Sequence, residues 1–293
     1  MLQTFFKYLQ YEKRYSPHTL TSYENDLRQF EKFCLNQYEI ADLLKTEHRH
    51  IRAWIVHLMN LNTKTTSINR KVAALRTLFK FAVSRELVEN NPTLKIQTLK
   101  TPKKIPQFVQ ESNLQKLFEQ FEFPQTFEGS RDALILEILY GTGIRLSELL
   151  ALKIEDVDLY TAQIKVLGKG NKERIIPLHN QLKQRIAAYQ LQKKNEINTP
   201  KNDKLIVTNK GHPAYAMLVY RVVKKYLDLF TTIDKRSPHV LRHSFATHLL
   251  NKGADLNAVK DLLGHNSLAA TQVYTHNSLE KLKTVFNQAH PKA

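Results

Sequence analysis

Cysteine is nearly absent from the 293 residues, and the single copy, Cys34, cannot form a disulfide within the chain. A chain without disulfides is typical of a reducing compartment, so we expect this one to work in the cytoplasm. Cys34 itself is expected to be a small apolar side chain on a helix. The sequence also lacks a run of about 18 apolar residues and a short apolar signal segment after Met1. These absences disfavour a membrane protein.

Acidic residues are scarce as well. The 27 Asp and Glu residues face 44 Lys and Arg residues, which leaves a formal net charge of +17. Such an excess favours a polyanionic partner, and nucleic acid is the simplest candidate. At this length the chain is expected to form two ordinary domains, although one large domain is the alternative.

Motifs for metal and nucleotide chemistry are missing too. No HExxH or paired-cysteine pattern occurs, and no carboxylate stands at a ligand spacing among the histidines near the C-terminus, which are His239, His243, His248, His265 and His276. The Gly168–Gly170 turn lacks the strand, glycine spacing and helix of a phosphate-binding loop. We therefore expect no metal and no nucleotide cofactor.

Residues 1–92 are predicted to form a domain of four helices. Apolar residues recur at helical spacing in four stretches, and Ser16 followed by Pro17 is typical of a helix start. The last of these helices also carries basic residues, which belong either to an ordinary solvated face or to a face that contacts DNA: Arg70, Lys71, Arg76 and Lys80.

Residues 93–107 lose the apolar periodicity and collect lysines, including Lys103 and Lys104, with two prolines. This composition predicts an extended basic linker between two domains. The segment is either simply solvated or able to let the two domains close around a duplex.

Residues 108–293 are predicted to form a second domain of helices with a small three-stranded antiparallel sheet. Gln163–Leu167 and Glu173–Pro177 are predicted strands on either side of a glycine-flanked turn that carries Lys169. Leu205–Val207 is the predicted third strand. The expected fold is therefore mainly α, with an α+β second domain.

Two arginines in this second domain are predicted near helix starts. Arg145 follows a glycine-rich break between two helices, and Ser147 can help to start the second of them. Backbone amides at a helix start favour a bound anion such as phosphate. Ser237 and Pro238 predict another helix start, which puts His239 in the first turn and Arg242 three residues later on the same face.

A second group of polar residues follows a predicted helix stop at Gly264. His265 is expected on a turn, and Ser267 can cap a short helix that carries Tyr274 about two turns later. Each residue alone has an ordinary interpretation, such as packing for a tyrosine or a salt bridge for an arginine. Glu148, one turn beyond Arg145, is as easily an orienting partner as a residue without a role. The ordered co-occurrence of these residues favours a catalytic site.

Three long stretches carry a resemblance to a known family. The segments 140–160 (YGTGIRLSELLALKIEDVDLY), 166–179 and 237–276 resemble the tyrosine recombinases, and within them the Xer type that resolves chromosome dimers in bacteria. Segment 15–30 is similar to the core-binding domain of that type, and the last four residues, 290–293, are similar to its tail. The resemblance implies a SAM-like first domain and a catalytic domain of the DNA breaking-rejoining type.

The resemblance also implies the reaction. Tyr274 would attack the scissile phosphate to give a 3′-phosphotyrosyl bond and release a 5′-hydroxyl, which later attacks the corresponding bond on a partner strand. Lys169 would protonate the leaving oxygen and His239 would act as base toward the tyrosine. Because a covalent intermediate conserves the energy of the phosphodiester, no ATP is needed.

The remaining implied roles concern the phosphate and the assembly. Arg145 and Arg242 would hold the non-bridging oxygens, and His265 would hydrogen-bond to the phosphate. A homo- or hetero-tetramer would act on two double-stranded DNA sites, with the last helix of each subunit docked on a neighbour. A septal DNA translocase is a further implied partner. The apolar face suited to docking, or to packing on its own domain, consists of Leu279, Leu282, Val285 and Phe286.

Three alternatives remain from the sequence. An integrase of a phage or conjugative element would use the same chemistry, and an added N-terminal arm-binding domain would favour it, whereas this chain is expected to start directly at the core-binding helices. A DNA-binding protein that has lost catalysis is disfavoured by the intact set of candidate catalytic residues. A relaxing topoisomerase would share the phosphotyrosine but needs no partner duplex.

Overall fold

The structure is a computed structural model that describes residues 1–102, 107–168, 172–197 and 202–264. The chain divides into two compact units, Met1–Lys104 and Ile105–Ala293. Each unit has its own apolar core. Within the described ranges, no helix combines the length and apolar character that crossing a membrane requires.

The first unit contains the four predicted helices. Their bounds are α1 (Leu2–Lys7), α2 (Pro17–Tyr38), α3 (His48–Asn60) and α4 (Thr65–Ser84). A turn of π-helix, Tyr8–Glu12, continues α1. Ser16 is the N-cap of α2, where its hydroxyl accepts a hydrogen bond of 3.3 Å from the Thr19 amide, and Pro17 is the first helical residue. This start of α2 confirms the prediction from the Ser-Pro pair.

Cys34 lies in the core of the first unit and is fully buried. Burial raises the pKa of its thiol to about 11, because the thiolate would lose its hydration. The rings of Phe30 and Trp54 belong to the same core and pack on each other, with centroids 4.9 Å apart. The expected role of Cys34 as a small apolar side chain is confirmed.

Part of the segment predicted as a linker packs on the first unit. Ile96 is buried in the core of that unit, and its carbonyl accepts a hydrogen bond from Arg76. The Asn69 side-chain amide pairs with the backbone of Leu99 through two hydrogen bonds of 2.9 Å each. Residues 93–99 are therefore held by α4, while the domain limits 1–92, 93–107 and 108–293 stay a prediction.

The second unit is mostly helical with one small sheet. Its described α-helices are α5 (Glu111–Gln115), α6 (Phe127–Thr142), α7 (Leu146–Ala151), α8 (Asn180–Glu196), α9 (Ala216–Phe230), α10 (Pro238–Asn251) and α11 (Leu256–Leu263). The strands are β1 (Val157–Asp158), β2 (Gln163–Leu167) and β3 (Glu173–Pro177). The sheet has the order β1-β2-β3 and is antiparallel throughout.

The sheet confirms two predicted strands and corrects the third. Leu205–Val207 is not a strand of this sheet. Its last residue, Val207, and the residue before it, Lys204, form only isolated bridges, to Pro213 and Lys153 respectively. These three apolar residues are buried in the core of the second unit. Their apolar composition is explained by this burial and does not require that they pair in the sheet. The third strand is β1 instead, where Val157 pairs with Ile164 of β2.

Helix α6 runs through the core of the second unit and is buried along nearly its whole length. It ends at Gly143, whose φ of +62° is in the left-handed region. A Cβ added there would lie 2.4 Å from a ring carbon of Phe245, so both backbone conformation and space require glycine. This sharp stop turns the chain toward Arg145 and α7.

Candidate active site

Arg145 is the N-cap residue of α7, a position that the sequence suggested Ser147 could help to form. Its backbone N–H donates to Glu148 Oε2 at 2.7 Å, and its guanidinium Nη1 donates to Glu148 Oε1 at 2.8 Å. Glu148 therefore caps the helix and fixes the direction of the arginine side chain at the same time.

Glu148 also binds a second arginine, Arg174 of β3. Arg174 Nη1 donates to Oε1 at 2.9 Å and Nη2 donates to Oε2 at 2.8 Å, which is a bidentate pair. Burial raises the pKa of Glu148, but the hydrogen bonds and charges of Arg174 and Arg145 outweigh it and bring that pKa below its ordinary value. The carboxylate is thus ionised at neutral pH between two guanidinium groups.

Arg242 lies on α10, one turn after a start at Ser237 and Pro238 that matches the prediction. Its Nη1 donates to the Gly143 carbonyl and its Nη2 to the Leu263 carbonyl, each at 2.6 Å. Burial, followed by the nearby charge of Arg145, lowers the pKa of Arg242 to about 10. The guanidinium therefore stays charged at neutral pH.

The C-terminal end of α11 brings the three arginines together. Its last carbonyls have no partner within the helix, and the helix dipole favours cations there. Arg174 Nε donates to the Leu262 carbonyl at 2.8 Å, Arg242 Nη2 to the Leu263 carbonyl, and Arg145 Nη2 to the Gly264 carbonyl at 2.9 Å. Three consecutive carbonyls thus bind three different arginines, immediately before residue 265.

Of the other four predicted catalytic residues, only His239 belongs to the described part of the chain. His239 is exposed in the first turn of α10. Lys169, His265 and Tyr274 lie outside the described residues, as do Ser267 and the apolar residues proposed for docking of the last helix. The backbone on either side of Lys169 is described, and the Gly168 N–H donates to the Lys172 carbonyl at 2.8 Å, which closes the hairpin of β2 and β3.

Arg174 was not among the site residues predicted from the sequence. The alternation in β3 places Arg174 on the same face as the buried Ile176, and a charged side chain on a buried face predicts a charged partner. That signal was present in the sequence. The identity of the partner was not, because Glu148 is 26 positions away and lies on a helix.

Among the basic residues suggested for a DNA face, Lys71 has a structural role. Its side chain is buried, and its ammonium lies 2.9 Å from Asp26 Oδ1 and also donates to Gln29. A lysine held this way joins α2 to α4 and is not placed to reach a phosphate. We therefore correct the prediction for Lys71.

The remaining basic residues of this group differ in what they contact. Arg70 binds Asp26 and Ser22 while its side chain remains 44% exposed, and Arg76 binds the Ile96 carbonyl. Lys80 is exposed on α4. Lys103 and Lys104 lie outside the described residues. A DNA-contacting role for these five stays a prediction.

Comparison with known proteins covers both units. The family described as the phage integrase family matches residues 107–281, and the N-terminal SAM-like domain of phage integrases matches residues 2–86. The tyrosine recombinase XerC of Chlorobaculum parvum is 36% identical, over 100% of this chain and 94% of that protein. The tyrosine recombinase XerC of Staphylococcus haemolyticus is 39% identical, over 99% of this chain and 96% of that protein.

A solved structure shares the fold over most of the chain. The XerH site-specific recombinase bound to its difH substrate, in a pre-cleavage complex, is 25% identical with a TM-score of 0.68. The similarity covers 91% of this chain and 79% of that one.

Proposed function

Because the chain belongs to the phage integrase family and is a tyrosine-type site-specific DNA recombinase, we propose that Tyr274 cuts DNA by forming a 3′-phosphotyrosyl bond. The observation that carries this proposal is the convergence of Arg145 and Arg242 on the adjacent carbonyls of Gly264 and Leu263, where α11 ends. The chain passes from that point directly into the segment that contains Tyr274.

Arg145 and Arg242 are proposed to bind the non-bridging oxygens of the scissile phosphate. A guanidinium carries five N–H donors, and the bonds of Arg242 to described residues use two of them. The other donors of these two fixed arginines can meet charge as it develops on the phosphate. His265, the next residue after Gly264, is proposed to add a hydrogen bond to the same phosphate.

Two proton transfers complete the proposed reaction. Tyrosine has an ordinary pKa of about 10, so the attacking hydroxyl needs a base. His239, exposed in the first turn of α10 and one turn before Arg242, is proposed as that base. Lys169, in the turn between β2 and β3, is proposed to protonate the leaving 5′-oxygen. The phosphotyrosyl bond conserves the energy of the phosphodiester, so the strand can be rejoined without ATP.

The biological task is proposed to be resolution of chromosome dimers. Relatives named XerC match nearly the whole chain, which supports this task. The proposed DNA clamp consists of two domains, residues 1–92 and 108–293, which are joined by the linker 93–107. Four subunits would act on two DNA sites, and the last helix of each subunit would dock on a neighbour. A septal DNA translocase is proposed as the activating partner. This task is tested with a plasmid dimer that carries two copies of the binding site. The protein is expected to convert the dimer to monomers, and a dimer that stays unresolved would contradict the proposed task.

The chemistry is tested with a nicked suicide substrate. The binding site is first selected from randomised duplex DNA with the full chain, and a nick near the cut traps the covalent adduct. Tyr274→Phe is expected to bind this DNA as the wild type does and to form no adduct. Tyr160→Phe is the matched control, because Tyr160 is 95% exposed in the same unit. An adduct that persists in Tyr274→Phe contradicts the nucleophile assignment.

A further inference from the structure

Arg174 is a buried arginine to which the proposed chemistry assigns no role. Its side chain is 5% exposed. The two terminal nitrogens bind both oxygens of Glu148, and Nε binds the Leu262 carbonyl. Removing a guanidinium from water is costly, so a charge buried this completely requires partners with good geometry. The planar guanidinium meets that requirement because its terminal nitrogens bind the carboxylate while Nε binds the carbonyl.

Through Glu148, Arg174 acts on the position of Arg145. Glu148 Oε1 accepts from Arg174 Nη1 and from Arg145 Nη1 at 2.9 and 2.8 Å. A carboxylate whose two oxygens are held from β3 can take only one direction at the start of α7. Arg174, on β3, therefore fixes the direction of the Arg145 side chain.

Arg174 also packs on the backbone next to two candidate catalytic residues. A Cβ added to Gly264 would lie 3.2 Å from Arg174 Nη1, and a Cβ added to Gly168 would lie 3.4 Å from the same atom. Gly264 directly precedes His265, and Gly168 directly precedes Lys169. The Arg174 guanidinium thus lies against the backbone at the residues immediately before Lys169 and His265.

We propose that Arg174 is a positioning residue for strand cleavage, which holds Arg145 through Glu148 and fixes the backbone at Gly168 and Gly264. This inference rests on the proposed function. Arg174 touches no DNA in the proposal, and it acts only by setting the direction of groups that do. Lysine cannot replace it, because one ammonium cannot bind both oxygens of Glu148 and the Leu262 carbonyl in a planar fork.

The test measures single-turnover cleavage of the nicked substrate by Arg174→Met and Arg174→Lys. Methionine removes the charge at similar volume, and lysine keeps the charge without the fork. Both variants are expected to bind DNA as the wild type does and to cleave about 10- to 100-fold more slowly, as is typical when the support of a site residue is removed. If Arg174→Met does not fold, Arg174→Lys alone decides the test.

Arg131→Met is the matched control for a general loss of stability. Arg131 is equally buried in the same unit, on α6, where it binds Asp132 and Asn209 and none of the candidate catalytic residues. At equal folded fraction this variant is expected to cleave within about threefold of the wild type. An equal loss of cleavage in Arg131→Met and Arg174→Met would overturn the inference, and so would wild-type cleavage by both Arg174 variants.

The pH profile separates positioning from a merely structural role. Arg145, Arg174 and Arg242 are the charged groups that act on Glu148 from the packed elements. In Arg174→Met, the buried carboxylate loses its bidentate partner and becomes easier to protonate. Cleavage by this variant, relative to the wild type, is expected to fall further as the pH is lowered, and Glu148→Gln in the same chain should remove that extra dependence. A profile parallel to that of the wild type would overturn the inference.

The Tyr274→Phe variant is measured on the same substrate. Adducts in Tyr274→Phe would remove the proposed function itself. Loss of adducts in Tyr274→Phe together with unchanged cleavage by the Arg174 variants would remove only the inference about Arg174.

Discussion

Replacing Glu148 with glutamine tests the network at the end of α11 most sharply. The substitution keeps the shape of the side chain, so it leaves no cavity. It removes the negative charge and turns one of the two acceptor oxygens into a donor. In the wild type, each carboxylate oxygen accepts one hydrogen bond from Arg145 and one from Arg174. Whichever oxygen the glutamine NH2 group replaces, that group would face one N–H donor from each arginine.

The expected cost follows from the burial of this network. Glu148 and Arg174 are 3% and 5% exposed, so removing the carboxylate leaves a buried guanidinium without its counter-charge. Breaking a buried ion pair in this way costs about 3–5 kcal/mol in the free energy of unfolding. The partly exposed pair of Glu111 with Lys252, 2.9 Å apart in the same unit, gives the matched control Glu111→Gln with a cost of about 0–1 kcal/mol.

The pH dependence has a definite sign. The pKa of Glu148 is lower in the folded protein than in the unfolded chain, where it is about 4.3. Its contribution to stability is therefore complete above that value and is lost as the pH falls toward the folded pKa. The difference in unfolding free energy between the wild type and Glu148→Gln should shrink over this acidic range.

Urea unfolding followed by circular dichroism measures these differences, and fluorescence provides an internal control. Trp54 is the single tryptophan and lies in the core of the first unit, so its fluorescence follows the unfolding of the unit that contains neither Glu148 nor Glu111. A cost for Glu148→Gln no larger than that for Glu111→Gln would refute the account of the buried network. A cost that stays constant as the pH falls through the acidic range would also refute it.

Three further predictions concern the phosphate site, the end of α6 and the DNA face. Arg145→Ala and Arg242→Ala should each lower single-turnover cleavage about 100-fold or more, and an unchanged rate would contradict the phosphate clamp. Gly143→Ala should lower the melting temperature more than Gly253→Ala does, because both glycines have positive φ but only at Gly143 would the new methyl group clash, with Phe245; equal shifts would refute this. DNA affinity should fall steeply from about 50 to 200 mM salt, and a flat titration would argue against a basic DNA face.

Local signals in the sequence were enough to predict most elements. The Ser-Pro pairs at Ser16 and Ser237 predicted the starts of α2 and α10, and glycine predicted the stop of α11 at Gly264. These features depend on a few neighbouring residues, which is why they can be read directly. The apolar run Leu205–Val207 misled because a buried strand and a buried irregular segment have the same composition.

Long-range pairs were beyond the sequence. Lys71 was a candidate for the DNA face because it is a basic residue on the fourth predicted helix, and the sequence did not show its pairing with Asp26, 45 positions away on another helix. Glu148 was as easily without a role as an orienting group, and only the fold brings Arg174 to its other side. Spacing shows which face a residue occupies, whereas its partner depends on how the helices and strands pack.

The residue that becomes linked to DNA is the nucleophile, so its identity decides whether Tyr274 cuts the strand. The chain has 12 tyrosines, so an adduct alone does not identify the nucleophile. Mass spectrometry of the protease-digested adduct, with the DNA trimmed by nucleases, should find a nucleotide joined through its 3′ phosphate to the peptide that contains Tyr274. Linkage to a different residue, or through a 5′ phosphate, would contradict the assignment of Tyr274 as the nucleophile that forms a 3′-phosphotyrosyl bond.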